Sequence, residues 1–123
     1  MDNKEINNNY IFALDEDNFY EKIMLADIFY IETIKSTHYC NVMHRNGTSK
    51  LHADITPLSV MLGKDFFRAR ASTLVNIHFI RRVDTKNRVI YFPNDLSCSY
   101  AIKKHKELKE KLMLCNYRSS KSK

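Results

Sequence analysis

The sequence has few of the residues on which several classes of protein depend. Its 123 residues include two glycines, two prolines and no tryptophan. Two glycines are too few for the glycine-rich loops that hold phosphate groups in nucleotide-binding enzymes. The apolar run Ile28–Ile31 is bounded by Asp27 and Glu32, whereas a membrane span needs roughly 18–20 apolar residues. The polar N-terminus lacks the apolar segment of a signal peptide, so we expect a soluble cytoplasmic protein without a membrane partner.

The cysteines and histidines match no pattern of a disulfide framework, a metal site or an active site. Cys40, Cys98 and Cys115 are odd in number and widely spaced, which predicts free thiols. The metal candidates share one short region but fit no standard zinc spacing; they are His38, Cys40, His44 and His52. No motif pairs a nucleophile with a base. We therefore expect no metal, no cofactor and no enzymatic activity.

Positive charge is confined to the second half of the chain. The net charge is +6, but residues 1–63 hold 5 Lys/Arg and 9 Asp/Glu, a net charge of −4. Residues 64–88 hold 7 Lys/Arg and 2 Asp/Glu, and residues 103–123 hold 8 and 2. Two separate basic blocks in one chain favour a polyanionic partner.

Short runs of β-branched and aromatic residues predict a mainly β domain. We predict strands over 10–14, 19–25, 27–34, 38–44, 48–53, 73–75, 79–84, 88–92 and 97–102. Between His38 and His44, the alternation places Cys40 and Val42 on the interior face. Asn46-Gly47 predicts a hairpin turn, because both residues tolerate positive φ.

Two helices complete the predicted domain. The first covers Asp54–Gly63, with Thr56 as its cap, Pro57 at its first position, and an apolar face of Leu58, Met61 and Leu62. The second covers Lys103–Cys115, where strong helix formers carry an apolar stripe. The domain then spans residues 10–115, with a disordered lead-in or linker stub over 1–9 and a disordered basic tail over 116–123.

Two stretches are candidates for nucleic-acid binding. In Phe66–His78, apolar anchors alternate with polar groups that are free to project, namely Arg68, Arg70, Ser72 and Asn76. Arginine and serine suit phosphates and base edges. In Lys103–Lys106, cationic side chains open a helix, against the helix dipole, which a bound anion would offset. The alternative is a protein-interaction β module with an incidental basic surface; an RNA-binding module is less favoured, because no strand has the aromatic RNP pattern.

Three stretches resemble the LytTR domain, the DNA-binding module of LytR/AgrA-type bacterial response regulators. The first is Asp27-Ile-Phe-Tyr-Ile-Glu-Thr33, followed by His38-Tyr39. The second, Asp65-Phe-Phe-Arg-Ala-Arg-Ala-Ser-Thr-Leu-Val-Asn76, is similar to the family motif F-x-R-x-H-x-S-x-x-V-N, with Arg70 in place of the usual His. The third is Asn87–Phe92 with Ser97–Lys104. The resemblance runs from about Tyr10 to Leu108.

The resemblance implies elongated antiparallel β-sheets and sequence-specific reading of double-stranded DNA by loops that enter major grooves and bend the duplex. The implied base-reading residues are His38, Arg70, Ala71 and Lys103. The implied phosphate-binding residues are Tyr39, Ser72, Arg88, Lys104 and Lys106. Arg68 and Asn76 match motif positions, and Asn76 is expected to brace the loop internally.

The resemblance also sets limits and implies partners. Ala71 and Lys103 stand where the quorum-sensing subgroup has Asn and Arg, so the operator sequence does not carry over. Ala69 stands where that subgroup has a cysteine, which excludes a disulfide from this position to Cys98. The implied partners are DNA with tandem or repeated sites, a second copy on DNA, and an upstream receiver domain or histidine kinase. An excised effector domain and a stand-alone LytTR protein both remain open.

Overall fold

The computed structural model describes residues 9–121, with side chains described for residues 9–116. Within this range the chain forms ten β-strands and two α-helices. The strands are β1 (Tyr10–Leu14), β2 (Tyr20–Met24), β3 (Ile28–Thr33), β4 (Tyr39–His44), β5 (Gly47–His52), β6 (Phe66–Arg70), β7 (Thr73–Asn76), β8 (Arg82–Asp84), β9 (Val89–Tyr91) and β10 (Ser97–Ser99). The helices are α1 (Ile55–Leu62) and α2 (His105–Lys121).

The strands form two antiparallel sheets. The larger sheet has seven strands in the order β2-β1-β5-β4-β3-β7-β6, and the smaller has three in the order β10-β9-β8. Every described pairing is antiparallel. The predicted mainly β class, with a short internal helix and a C-terminal helix, is therefore confirmed.

Two hydrophobic cores lie against the seven-stranded sheet. The first contains Ile28, Ile31 and Val42 with Leu58 and Leu62 of α1. The second joins the sheet to the smaller sheet and α2; its members include Phe29, Tyr30, Phe67, Ala69, Val75, Ile90, Phe92, Cys98, Tyr100 and Leu108. Strand β3 contributes to both cores, so it is buried on both faces.

A β-bulge explains how β3 contributes neighbouring residues to different cores. The β3–β4 register shifts between Ile28 and Tyr30, so Phe29 has no directly opposite residue. A bulge of this kind bends the strand and redirects its side chains. Phe29 and Tyr30 consequently both pack in the second core, where strict alternation would separate them.

The β4–β5 hairpin is present, but its turn lies one residue earlier than predicted. His44 pairs with Gly47 across a two-residue loop of Arg45 and Asn46. Arg45 is held there by Asp27, whose Oδ1 accepts from Arg45 Nε at 3.1 Å. Gly47 has φ +138° and becomes the first residue of β5. The predicted interior face of β4 is confirmed, since Cys40 and Val42 are buried.

Helix α1 differs from the prediction in three details. It begins at Ile55, with Asp54 rather than Thr56 at the N-cap position, so Pro57 is the third helical residue. The Thr56 hydroxyl is instead bonded to Arg68, as described below. Leu58 and Leu62 are buried, but Met61 is exposed, because it lies about 60° away from Leu58 around the helix axis.

Four other boundaries differ from the prediction. Phe79 belongs to a 3₁₀ turn, Ile77–Phe79, so β8 begins only at Arg82. A second 3₁₀ turn, Ile102–Lys104, shortens β10 and delays α2 to His105. Helix α2 continues to Lys121, past the predicted end at Cys115, so residues 116–121 have helical backbone rather than the expected disorder. The expectations for residues 1–8, 122 and 123 lie outside the described residues.

All three cysteines are free, as predicted. Cys40 and Cys98 are buried and Cys115 is half-buried. Burial raises the pKa of the Cys98 thiol to about 12, so this thiol stays protonated at physiological pH. Ala69 lies in the same core as Cys98.

Asn76 connects two segments of the sheet from a buried position. Its Nδ2 donates to the Ile28 carbonyl at 2.9 Å, and its Oδ1 accepts from the His78 amide at 3.0 Å. The side chain is 3% exposed, so water offers no substitute partner for either backbone group. The end of β7 is thereby tied to the start of β3.

We expect Asn76→Ala to lower the free energy of unfolding by about 2–3 kcal/mol, because two backbone groups lose their partner in the interior. Urea denaturation followed by circular dichroism measures the change. Asn41→Ala is the matched control: Asn41 is half-buried on β4 and its side chain makes no hydrogen bond within the described residues. Equal stability of the two variants would contradict the bracing role of Asn76.

Candidate nucleic-acid interface

The β6–β7 hairpin carries the motif residues and exposes its turn. Phe66, Phe67, Leu74 and Val75 are buried and anchor the two strands. The turn that they hold is formed by Ala71 and Ser72, of which Ala71 is exposed and Ser72 is half-buried. Two of the expected base-reading residues, Arg70 and Ala71, therefore stand on a hairpin that is anchored in the interior.

A bulge directs Arg70 toward the smaller sheet. The β6–β7 register shifts between Arg68 and Arg70, leaving Ala69 without an opposite residue. Arg70 is exposed, and its Nη1 donates to Ser99 Oγ at 3.1 Å. This single bond orients the guanidinium and leaves four of its five donors for another partner.

The guanidinium of Arg68 is hydrogen-bonded within the protein. Its Nη2 and Nε donate to the Ala71 carbonyl at 2.7 and 3.2 Å. Nη2 also donates to Thr56 Oγ1 at 3.2 Å. The side chain thus fastens the turn to α1, and Arg68 and Asn76 both lie in bracing contacts rather than at a free surface.

The segment after β10 lies directly beside the β6–β7 hairpin. The Ala101 amide donates to the Ala69 carbonyl at 2.9 Å, which extends the edge of β6. Lys103 is exposed on the 3₁₀ turn that follows. Lys104 is half-buried; its Nζ lies 3.5 Å from Glu107 Oε1 and 6.0 Å from the centre of the Phe67 ring. Glu107 thus offsets part of the positive charge that opens α2.

Arg88 is joined to the same region. It is exposed at the end of the β8–β9 loop, and its carbonyl accepts from the Tyr100 amide at 3.1 Å. Asp84 shapes this loop by accepting from the amides of Lys86 and Asn87, both at 3.0 Å. The hydrogen bonds from Asn87 lower the pKa of Asp84, so the carboxylate that holds the loop is ionised at neutral pH.

His38 and Tyr39 lie in the loop that leads into β4. His38 is exposed, and its Nδ1 lies 2.9 Å from Asp54 Oδ1, just before α1. The Ala53 amide donates to the His38 carbonyl at 2.9 Å. The Tyr39 ring stacks at 4.8 Å on the ring of His52. The partners Asp54 and His52 had no signal in the sequence, because both contacts cross between strands or to a helix start.

Backbone bonds bring most of the predicted residues together. The Thr33 amide donates to the Ser72 carbonyl at 2.9 Å, which ties the base of the His38 loop to the β6–β7 turn. Arg70, Ser72, Arg88, Lys103 and Lys104 therefore belong to one bonded set of segments. Lys106 is different: it lies on α2 beside Lys109 and Met113, and no described bond joins it to the turn.

The residues considered for a metal have other partners. Cys40 Sγ donates to the Ala53 carbonyl at 3.3 Å, and His44 Nε2 is bonded to Ser49 Oγ at 2.9 Å. Across the described residues, no group of three or more His, Cys, Asp or Glu side chains is arranged to hold a metal ion. In the same residues, no helix is long and apolar enough to cross a membrane.

This chain is similar to one part of two longer known proteins. Accessory gene regulator protein A of Staphylococcus aureus is 28% identical over 86 residues, which are 70% of this chain and 36% of the relative. The protein of the same name from Staphylococcus epidermidis is 27% identical over the same shares. This chain thus spans about a third of the length of these relatives.

A solved structure from Bacillus cereus, described as the LytTr DNA-binding domain of a response regulator, has the same fold. The TM-score is 0.72 at 16% identity, covering 83% of this chain and 94% of the other. A family model described as the LytTr DNA-binding domain matches residues 18–113, which include strands β2 to β10, α1 and the β6–β7 hairpin. The chain therefore belongs to the LytTr DNA-binding domain family.

Proposed function

We propose that this chain is the DNA-binding part of a transcription regulator and that it reads specific sequences in double-stranded DNA. One observation carries this proposal: three loop segments with cationic side chains are joined by hydrogen bonds into one surface. The bonds run from Ala101 to Ala69, from Arg70 to Ser99 and from Tyr100 to Arg88. A rigid surface of this kind can present donors to phosphates and base edges together.

Within this proposal, loops rather than a helix enter the major groove. Arg70 and Lys103 are the exposed cations nearest the hairpin turn, and His38 extends the surface past Ser72. Ala71 offers a methyl group that suits the methyl of thymine. Tyr39, Ser72, Arg88, Lys104 and Lys106 are assigned to phosphates. Contacts from several loops to one duplex favour bending, since a bent duplex meets more of the protein.

The proposal extends to control and assembly. The Staphylococcus relatives are about three times as long as the matched segment. We propose that this domain is an output module, whether a receiver domain controls it within a longer protein or it acts by itself. DNA with repeated sites is the proposed partner, and no chemical step is assigned to the domain.

The first prediction concerns salt. If about 5–7 cationic side chains neutralise phosphates, the logarithm of the binding constant falls against the logarithm of salt concentration with a slope of about −4 to −6. Fluorescence anisotropy with a labelled duplex, titrated at several salt concentrations, gives the slope. A slope near zero, or no binding to any duplex at low salt, would favour a protein-interaction module instead.

Arg70→Ala should cost specificity, whereas Lys106→Ala should cost affinity on every sequence. A lost base contact weakens binding to the preferred sequence by about 1–3 kcal/mol and changes binding to random DNA little. Selection from a random duplex library supplies the preferred sequence. Ser99→Ala, which removes the hydrogen-bond partner that orients Arg70, should change specificity in the same direction but less. If Arg70→Ala weakened binding to the preferred sequence and to random DNA equally, Arg70 would not be a base-reading residue.

His38→Ala should weaken binding to the preferred sequence by about 1–3 kcal/mol and leave the melting temperature nearly unchanged. The His38–Asp54 pair is exposed, and exposed pairs contribute less than about 1 kcal/mol to stability. His78→Ala is the matched control, because His78 forms a pair with Asp65 of the same length, 2.9 Å, at the other end of the β6–β7 hairpin. A fall in melting temperature with unchanged affinity of the folded protein would make His38 structural.

A further inference from the structure

The turn between β1 and β2 exposes acidic and aromatic side chains together. Phe19 and Tyr20 are 68% and 74% exposed, and Glu16 and Asp17 beside them are exposed as well. Neither acid takes part in an ion pair within the described residues. Large aromatic rings held in water next to free carboxylates are a feature of contact surfaces. We refer to residues 15–20 as the acidic turn.

The acidic turn is held in one conformation. Asp15 Oδ1 accepts from the amides of Asp17 and Phe19, each at 2.9 Å. Asn18 adopts φ +67°, which asparagine tolerates better than most residues. Because the turn is already ordered, little conformational entropy is lost when a partner binds it.

Helix α2 carries a surface of the opposite character. An open depression of about 680 Å³ lies along one face of the helix and is lined by α2 alone, by His105, Lys106, Lys109, Glu110, Met113 and Leu114. Met113 and Leu114 are 64% and 52% exposed. A second depression of about 320 Å³, which shares Leu114 with the first, adds Lys64, Asp65, Ile77, His78 and Lys111. We refer to these two depressions together as the helix groove; it combines apolar side chains with an excess of positive charge.

The acidic turn and the helix groove lie at opposite ends of the molecule. The turn joins β1 to β2, the outermost strand at one edge of the seven-stranded sheet. Helix α2 packs through Leu108 on the core that contains Phe67 of β6, the outermost strand at the other edge. Six strand spacings of about 4.8 Å separate the edges by roughly 29 Å. A chain cannot place its own turn in its own groove.

We propose that copies of this chain associate head to tail, with the acidic turn of one copy in the helix groove of the next. Glu16 and Asp17 would meet Lys109 and Lys111, while the two aromatic rings would cover Met113 and Leu114. Methionine packs well against aromatic rings. The proposal goes beyond DNA binding and does not require it: of the residues in the acidic turn and the helix groove, only Lys106 is also assigned to DNA, and the proposed contact does not use it.

The contact is small and charged, which sets its expected strength. One turn in one groove buries less surface than the roughly 1,000 Å² of a stable interface, so association in solution is weak and salt-sensitive. The contact joins two different surfaces, so it leaves one of each free in every pair and can continue from copy to copy, as an open chain or a closed ring. Two copies held side by side on DNA would make it at high effective concentration.

Sedimentation velocity of the full 123-residue chain without DNA tests the proposal. We expect the average mass to rise with protein concentration at low salt and to stay monomeric at high salt. The variants E16K/D17K and K109E/K111E should each be monomeric at low salt. Their equimolar mixture should associate again, because each reversed surface then meets an opposite charge. D95K and K86E, charge reversals in other exposed turns, are controls that should associate as the original chain does.

Carbodiimide cross-linking identifies the surfaces in contact. In a mixture of isotope-labelled and unlabelled protein, Glu16 or Asp17 should couple to Lys109 or Lys111 between copies. A monomeric chain at every concentration, unaltered association of both double variants, or couplings confined to other residues would overturn the proposal. Binding of DNA with a single site is measured separately. Loss of DNA binding with intact association would refute only the DNA-binding proposal. Intact DNA binding without association would refute only the proposal of head-to-tail association.

Discussion

Burial of β3 on both faces is the constraint on which the remaining structure depends. Ile28 and Ile31 pack in the core under α1, and Phe29 and Tyr30 pack in the core shared with the smaller sheet. A strand buried on both sides needs neighbours along both edges, and β4 and β7 supply them. The loops that precede these neighbours, before β4 and between β6 and β7, consequently lie at fixed positions, which is what a recognition surface made of loops requires.

Internal hydrogen bonds hold the proposed recognition surface in place and occupy groups that would otherwise be free. Arg68 donates three hydrogen bonds, two to the Ala71 carbonyl and one to the Thr56 hydroxyl. Arg70, two residues later, makes one and remains available. The difference comes from the bulge at Ala69, which turns these arginines toward different faces of the sheet. Position along the strand, rather than residue type, separates the bracing Arg68 from Arg70, which is proposed to contact DNA.

Much of this arrangement could be predicted from the sequence, because local patterns determine it. The alternation in β4 correctly places Cys40 and Val42 inside. The family motif locates the hairpin, whose role on DNA stays a prediction. Features that depend on contacts between distant segments could not be predicted. The shift of the β4–β5 turn depends on Arg45 reaching Asp27, and nothing local indicates that Thr56 serves Arg68 rather than the start of α1.

The scarcity of glycine affects how this domain could be redesigned. Between residues 9 and 121, five residues other than glycine adopt positive φ, and Arg88 is one of them, at φ +58°. A side chain in this conformation costs roughly 1–2 kcal/mol, because Cβ crowds the following carbonyl oxygen. Glycine at position 88 would remove that crowding together with the guanidinium. A search for greater thermal stability would favour that exchange. If Arg88 contacts a phosphate as proposed, a search for tighter DNA binding would reject it, and the two engineering goals would select different residues at position 88.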